Sequence, residues 1–139
     1  KYCKENNKAF VHPFDDNKVI EGQGTVGVEV LADAIEPIDY LFVPIGGGGL
    51  ASGMILVFKA LSPNTKIIGV ESEGAASMKT SIAKGENTTL SEIDKFIDGA
   101  SVKRVGDLTF KICRDELHEI VTVPKGKVCT TMLKLYEQD

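Results

Sequence analysis

The sequence predicts a wound α/β domain on a mostly parallel sheet, and three observations carry that expectation. Short apolar runs at residues 40–45, 67–70 and 119–123 alternate with longer segments of helical spacing. Strands separated by helices pair in parallel through right-handed crossovers. A run of four glycines stands between the first of these strands and the next helix, at the edge where open α/β sheets take up ligands.

In order, Phe10 to Phe14 is short, apolar and broken by Pro13, which suits an edge strand or an extended approach segment. Asp15-Asp16-Asn17-Lys18 forms a polar turn, and Glu21 to Thr25 a glycine-rich lead-in. Val28, Leu31, Ala32 and Ile35 then fall at helical spacing, and Pro37 stops that helix. Tyr40 to Ile45 is continuously apolar, as in a strand buried on both faces. Leu50 to Leu61 is apolar nearly all round and reads as a buried helix ended by Ser62-Pro63.

Ile67 to Val70 is a second strand closed by Glu71, and Ser77 to Lys84 a short helix capped by Gly85. Glu86 to Asp94 is polar loop. Asp107 stands where it can cap a helix running to about Asp115, with Leu108, Ile112 and Cys113 on its inner side. Glu119 to Val123 is a β-branched strand. The last helix carries Val128, Met132, Leu135 and Tyr136, and Pro124-Lys125-Gly126-Lys127 offers it no good cap.

A length of 139 residues is that of one domain, and 42% hydrophobic with 26% charged residues is ordinary for a globular chain. Sixteen Lys and Arg against twenty Asp and Glu leave a net charge of −4, which argues against a dedicated nucleic-acid binder. No apolar run approaches the ~20 residues of a membrane helix. Cys3, Cys113 and Cys129 fit neither a C-x-x-C motif nor a disulfide framework, so a reduced, cytoplasmic protein is expected. The chain begins at Lys1 and stops at Asp139 after a helical run with no glycine or proline stop, as expected for a portion of a longer protein.

Gly46-Gly47-Gly48-Gly49 is the most informative stretch. Four glycines at a strand's carboxyl end remove every Cβ from a tight turn and permit positive φ at several positions. Amides freed in this way can converge on an anion while the helix N-terminus adds partial positive charge. The loop holds no Lys or Arg, so amides and dipole would do the binding, which suits a single phosphate group better than a triphosphate. The bland alternative is close strand-helix passage, for which one or two glycines would suffice. A second ligand competes: Gly46-x-Gly48-x-x-Ala51, with Glu71 ending the next strand, matches a dinucleotide fingerprint and so a nicotinamide-binding Rossmann module.

Four segments occur in fixed order: Val11-His12-Pro13-Phe14-Asp15, Gly22-Gln23-Gly24-Thr25, Val43 through Ala51, and Asp98-Gly99-Ala100-Ser101 through Asp107. Together they closely resemble the fold-type II, pyridoxal-phosphate-dependent threonine ammonia-lyases, also called threonine dehydratases or deaminases. Serine racemase and serine dehydratase are near relatives. The resemblance covers almost the whole chain, and its specificity lies in the ordered set, which weighs against the nicotinamide alternative. Val102-Lys103-Arg104-Val105-Gly106-Asp107 points toward the biosynthetic enzyme of the isoleucine pathway.

The resemblance implies pyridoxal 5'-phosphate as cofactor and a tryptophan-synthase-β-like large domain. Residues 1–14 would be the junction from the small domain, and residues 15–139 part of the large cofactor domain. Gly46, Gly47, Gly48, Gly49 and Leu50 would wrap the cofactor phosphate, with the backbone at Gly99 near its ring. Some relatives hold a divalent cation on residues matching Glu71, the Ala75 carbonyl and an Asp; here that last position is Ser77, so no metal site is expected.

The family's cofactor-bearing lysine lies in a Ser-Phe-Lys-x-Arg-Gly context upstream of His12, and no lysine here has that context. No catalytic residue is therefore expected in this chain, nor any lyase activity from it alone. The intact protein would convert L-threonine, with L-serine as the lesser alternative, to a keto acid and ammonia. It would do so as a cytoplasmic homotetramer with no nucleic-acid or membrane partner. His12, His118, the Asp15-Asp16 pair and Lys103-Arg104 are read as structural, and Cys113 and Cys129 as small core residues.

Overall fold

The computed structural model describes residues 2–138. Strands β1 (Tyr40–Pro44), β2 (Lys66–Ser72) and β3 (Glu119–Val123) form one sheet in the order β1-β2-β3. Both pairings are parallel, with Val43 opposite Gly69 and Gly69 opposite Ile120. Helices α1 (Tyr2–Glu5) and α2 (Asn17–Asp33) precede β1. Helix α3 (Gly49–Leu61) crosses from β1 to β2, while α4 (Ser77–Lys84) and α5 (Asp107–Glu116) lie between β2 and β3. Helix α6 (Lys125–Gln138) follows β3. The wound, parallel α/β class expected from the alternation is the observed one.

The core joins Val43, Ile45 and Ile67 at the sheet to Met54, Ile55 and Phe58 of α3, Met78 of α4, and Phe110 and Cys113 of α5. Phe58 is 1% exposed, and burying such a side chain stabilises the fold by about 2–3 kcal/mol. Every one of these elements stands where the apolar spacing puts it, because local periodicity and turn residues carry that information.

The faces differ from expectation in several places. Residues 10–14 form no strand. Helix α2 starts at Asn17, four residues before the expected lead-in, because the Asp16 carboxylate accepts hydrogen bonds from the N–H groups of Lys18 (2.8 Å) and Val19 (3.4 Å). Its buried positions are Ile20, Gly24 and Gly27, while Val28, Ala32 and Ile35 are exposed. The period was right and the face was not, because the inner face is made of glycine. A Cβ on Gly53 of α3 would lie 2.5 Å from the Gly24 nitrogen and 2.6 Å from the Ile20 carbonyl oxygen, so α2 and α3 touch backbone to backbone.

Strand β1 is buried on one face only: Val43 is inside, but Phe42 is 63% exposed and Tyr40 also faces out. It is an edge strand with no helix over its outer face among the described residues. Helix α5 buries Thr109, Phe110 and Cys113, with Leu108 at the surface. No residue of α6 is buried, and Met132, Leu135 and Tyr136 are exposed, so Cys129 is half-buried and not a core residue. Cys113 is fully buried, and burial pushes its thiol up to about 12.

Candidate functional site

Strand β1 ends at Pro44, Ile45 is fully buried, and the chain turns through Gly46, Gly47 and Gly48 into α3 at Gly49. Each glycine of the turn meets a neighbour where its Cβ would be. At Gly46 that neighbour is the Ala100 Cα at 3.0 Å and the Gly99 carbonyl oxygen at 3.2 Å; at Gly47 it is the Phe14 ring. At Gly48 it is Cβ and Oγ1 of Thr109, both at 2.8 Å, and at Gly49 the Phe14 backbone. Close passage therefore does use all four glycines. Only Gly48 among them has positive φ, at 94°, so conformational freedom is required at one position, not several.

The packing leaves a row of donors. Among the described residues, none accepts a hydrogen bond from the N–H of Gly46, Gly47, Gly48, Gly49 or Leu50. The first bond of α3 runs from the Ser52 N–H to the Gly48 carbonyl at 2.9 Å, and Gly48 as cap residue has no side chain to offer. Gly48 and Gly49 are buried, where an unpaired N–H costs about 1–3 kcal/mol. An anion at this point removes that cost and meets the positive end of the α3 dipole.

The donors line a cavity of about 350 Å³ shared with Pro13, Phe14, Gln23, Pro44, Gly99 and Ala100. Gln23 is its one polar side chain, and no Lys or Arg lines it. The six residues expected to hold the cofactor, Gly46 to Gly49, Leu50 and Gly99, are thus brought to one cavity. The residues fit a phosphate-bearing ligand: unpaired buried donors for the phosphate, and Phe14, Pro44 and Ala100 as apolar wall.

Four residues of the site carry no role in the sequence reading. Phe14 closes over Gly47 and Gly49, and Gln23 faces the cavity from α2. Asp15 spans 92 residues of chain to accept hydrogen bonds from the N–H groups of Asp107 and Leu108, both at 2.9 Å, and Thr109 at 3.3 Å. It, and not Asp107, caps α5; the cap position itself is Gly106. Thr109 Oγ1 donates to the Gly47 carbonyl at 2.7 Å. Phe14, Asp15 and Gln23 stand inside distinctive segments, while Thr109 has no sequence signal.

The remaining candidates lie elsewhere. His12 Nδ1 accepts from the Asp15 N–H at 2.9 Å and shapes the turn; His118 is exposed. Lys103 and Arg104 hold the 86–106 loop through the carbonyls of Ser91 and Asn87. Glu71 is 2% exposed and accepts from the N–H groups of Met78 and Lys79, both at 2.8 Å. Both oxygens cap α4, so Glu71 is not free to bind a ribose. Ser77 Oγ beside it is buried without a partner.

The model of the family described as pyridoxal-phosphate dependent enzyme matches residues 1–139. The chain is similar to the biosynthetic L-threonine dehydratase IlvA of Halalkalibacterium halodurans, at 52% identity over 99% of this chain and 33% of that protein. It is similar also to that of Bacillus subtilis, at 47% identity over 98% of this chain and 32% of that protein. The chain spans about a third of the length of these curated relatives.

Among solved structures it resembles the processed form of threonine deaminase isoform 2 from Solanum lycopersicum, with TM-score 0.85 and 43% identity over 88% of this chain and 36% of that one. It also resembles maize serine racemase, with TM-score 0.91 and 36% identity over 97% of this chain and 42% of that one. With these likenesses standing beside the amide-lined cavity at the start of α3, the chain belongs to the family of pyridoxal-phosphate dependent enzymes.

Proposed function

We propose that this chain is the phosphate-clamping portion of a pyridoxal-phosphate-dependent L-threonine ammonia-lyase. One observation carries it: five consecutive residues, Gly46 to Leu50, whose backbone N–H groups have no acceptor among the described residues, line a cavity at a helix N-terminus. When bound, pyridoxal phosphate supplies an electron sink for loss of the substrate's α-proton. The chain's own residues fix the cofactor's position. The amides of Gly46 to Leu50 take the phosphate, the Gly99 backbone stands toward the ring, and Phe14 shields the loop from water. Placement of this kind contributes to rate by holding the reacting groups in one geometry.

In the whole enzyme L-threonine is converted to 2-oxobutanoate and ammonia, with threonine favoured over serine because the curated relatives cited above are all named threonine dehydratases. Residues 1–14 serve as the junction from a small domain, and residues 15–139 as part of the cofactor domain. The free cysteines accord with a reducing cytoplasm, and among the described residues no helix is long and apolar enough to cross a membrane. Assembly as a homotetramer belongs to the same proposal.

The test is keto-acid release by the full-length protein from L-threonine, with and without added pyridoxal phosphate, and from L-serine in parallel. Cofactor-dependent 2-oxobutanoate is the expected result, with faster turnover of threonine than serine. No release from either amino acid overturns the proposal. The 139-residue segment alone is expected to release none.

A further inference from the structure

We infer that Thr109 is a positioning residue for the phosphate site: its hydroxyl sets the orientation of the Gly47-Gly48 peptide so that the Gly48 N–H faces the cavity. This rests on the phosphate-clamp reading of the glycine loop and deepens it.

A trans peptide is planar, with its C=O and N–H pointing in opposite directions. The Gly47 carbonyl accepts from Thr109 Oγ1 at 2.7 Å and from the Gly106 N–H at 3.2 Å. Both donors lie at the start of α5, and neither lines the cavity, whereas Gly47, Gly48 and Gly49 do. Holding the carbonyl on the α5 side therefore turns the Gly48 N–H toward the cavity.

Without that hold the peptide is free to rotate. Gly48 has positive φ and no Cβ to oppose a flip, so the loop's own sequence does not select one orientation. Thr109 also fills the space beside Gly48, and it is fully buried. Its own place is set from outside α5, because Asp15 holds the N–H groups of Asp107, Leu108 and Thr109. Phe14, the residue before Asp15, covers the loop at Gly47 and Gly49. A single turn at residues 12–15 thus closes on the loop directly and clamps it through α5.

The experiment measures dissociation constants of the full-length apoprotein for pyridoxal 5'-phosphate and for pyridoxal, which has the same ring and no phosphate. Thr109→Val keeps the shape and removes the donor; Thr109→Ser keeps the donor. Thr109→Val is expected to weaken pyridoxal phosphate about tenfold and pyridoxal less than about twofold, since one hydrogen bond toward the phosphate side is at stake. Thr109→Ser is expected to bind both as wild type does.

Equal weakening of both ligands by Thr109→Val would mean a general structural role and overturns the inference, as does unchanged affinity for pyridoxal phosphate. Should Thr109→Val not fold, Thr109→Ala is read by the same criteria. Failure of the underlying reading looks different: wild type then binds pyridoxal phosphate no more tightly than pyridoxal.

Discussion

Helices α3 and α5 begin side by side, with Thr109 of one against Gly48 of the other, yet their first turns are treated in opposite ways. The amides at the start of α5 are closed by the Asp15 carboxylate. Those at the start of α3 have no protein acceptor among the described residues. The same contrast holds more widely, because Asp16 closes α2 and Glu71 closes α4. The starts of α2, α4 and α5 are thus closed by carboxylates from the chain itself. The start of α3, whose residues line the glycine-loop cavity, has no such cap, and a carboxylate there would repel a phosphate. The open start is kept in shape by the closed one, through Thr109 and Gly106.

Breaking the open side has the largest expected effect. Gly48→Ala places a Cβ 2.8 Å from Thr109 in a left-handed backbone conformation, at a cost of about 2 kcal/mol. In the full-length protein it should also weaken pyridoxal phosphate on the order of a hundredfold, with pyridoxal much less affected. Urea unfolding checks the first number and equilibrium binding of the two ligands the second.

Gly53→Ala sharpens the comparison from within α3 itself. Its Cβ would meet the backbone of α2, so a loss of about 1–3 kcal/mol in urea unfolding is expected. Affinity for the two ligands should change by the same factor, because the phosphate amides are untouched.

On the closed side, Asp15→Ala uncaps α5 and should lower stability by about 1–2 kcal/mol. Asp16→Ala, which uncaps α2 away from the cavity, should lower it by about 1 kcal/mol without altering cofactor affinity. Asp15→Ala is expected to weaken pyridoxal phosphate as well, because α5 holds the Gly47 carbonyl, and an equal weakening in Asp16→Ala would dissolve the distinction between the two caps.

The smallest effect concerns the cap on α4. Burial raises the Glu71 carboxyl above its ordinary 4.5, and the Lys79 and Met78 amides only partly oppose this. Just above pH 4.5 the unfolded state is ionised while the folded state still holds its proton, so Glu71's contribution to stability falls as pH rises through that window. Glu71→Gln should flatten that slope in urea midpoints measured across the weakly acid range.

Much of this was legible in the residues alone. The order of strands and helices follows from apolar runs and their punctuation, and Gly85 ends α4 with φ of 75° as its type suggests. The glycine run marked the ligand edge, although close packing against Phe14, Ala100 and Thr109 by itself uses all four glycines, which the residues alone did not show. The inner face of α2 was missed because its contact residues are Gly24 and Gly27, which a search for large apolar side chains passes over. The cap of α5 was misassigned for a comparable reason: Asp107 is adjacent in sequence, and Asp15 is adjacent only in space.

What the sequence by itself determined is therefore local: which segments are strand or helix, where the chain turns, and that one turn is built to expose backbone N–H groups. Period and turn chemistry act over a few residues, so they can be read in line. Tertiary structure alone decided that β1 is covered on one face, that Glu71 is buried on α4, and that Asp15 and Thr109 hold the glycine loop. The first depends on which apolar groups pack on the sheet, and the others on carboxylate, hydroxyl and amide groups meeting within hydrogen-bond distance; such contacts exist only once the chain has closed on itself.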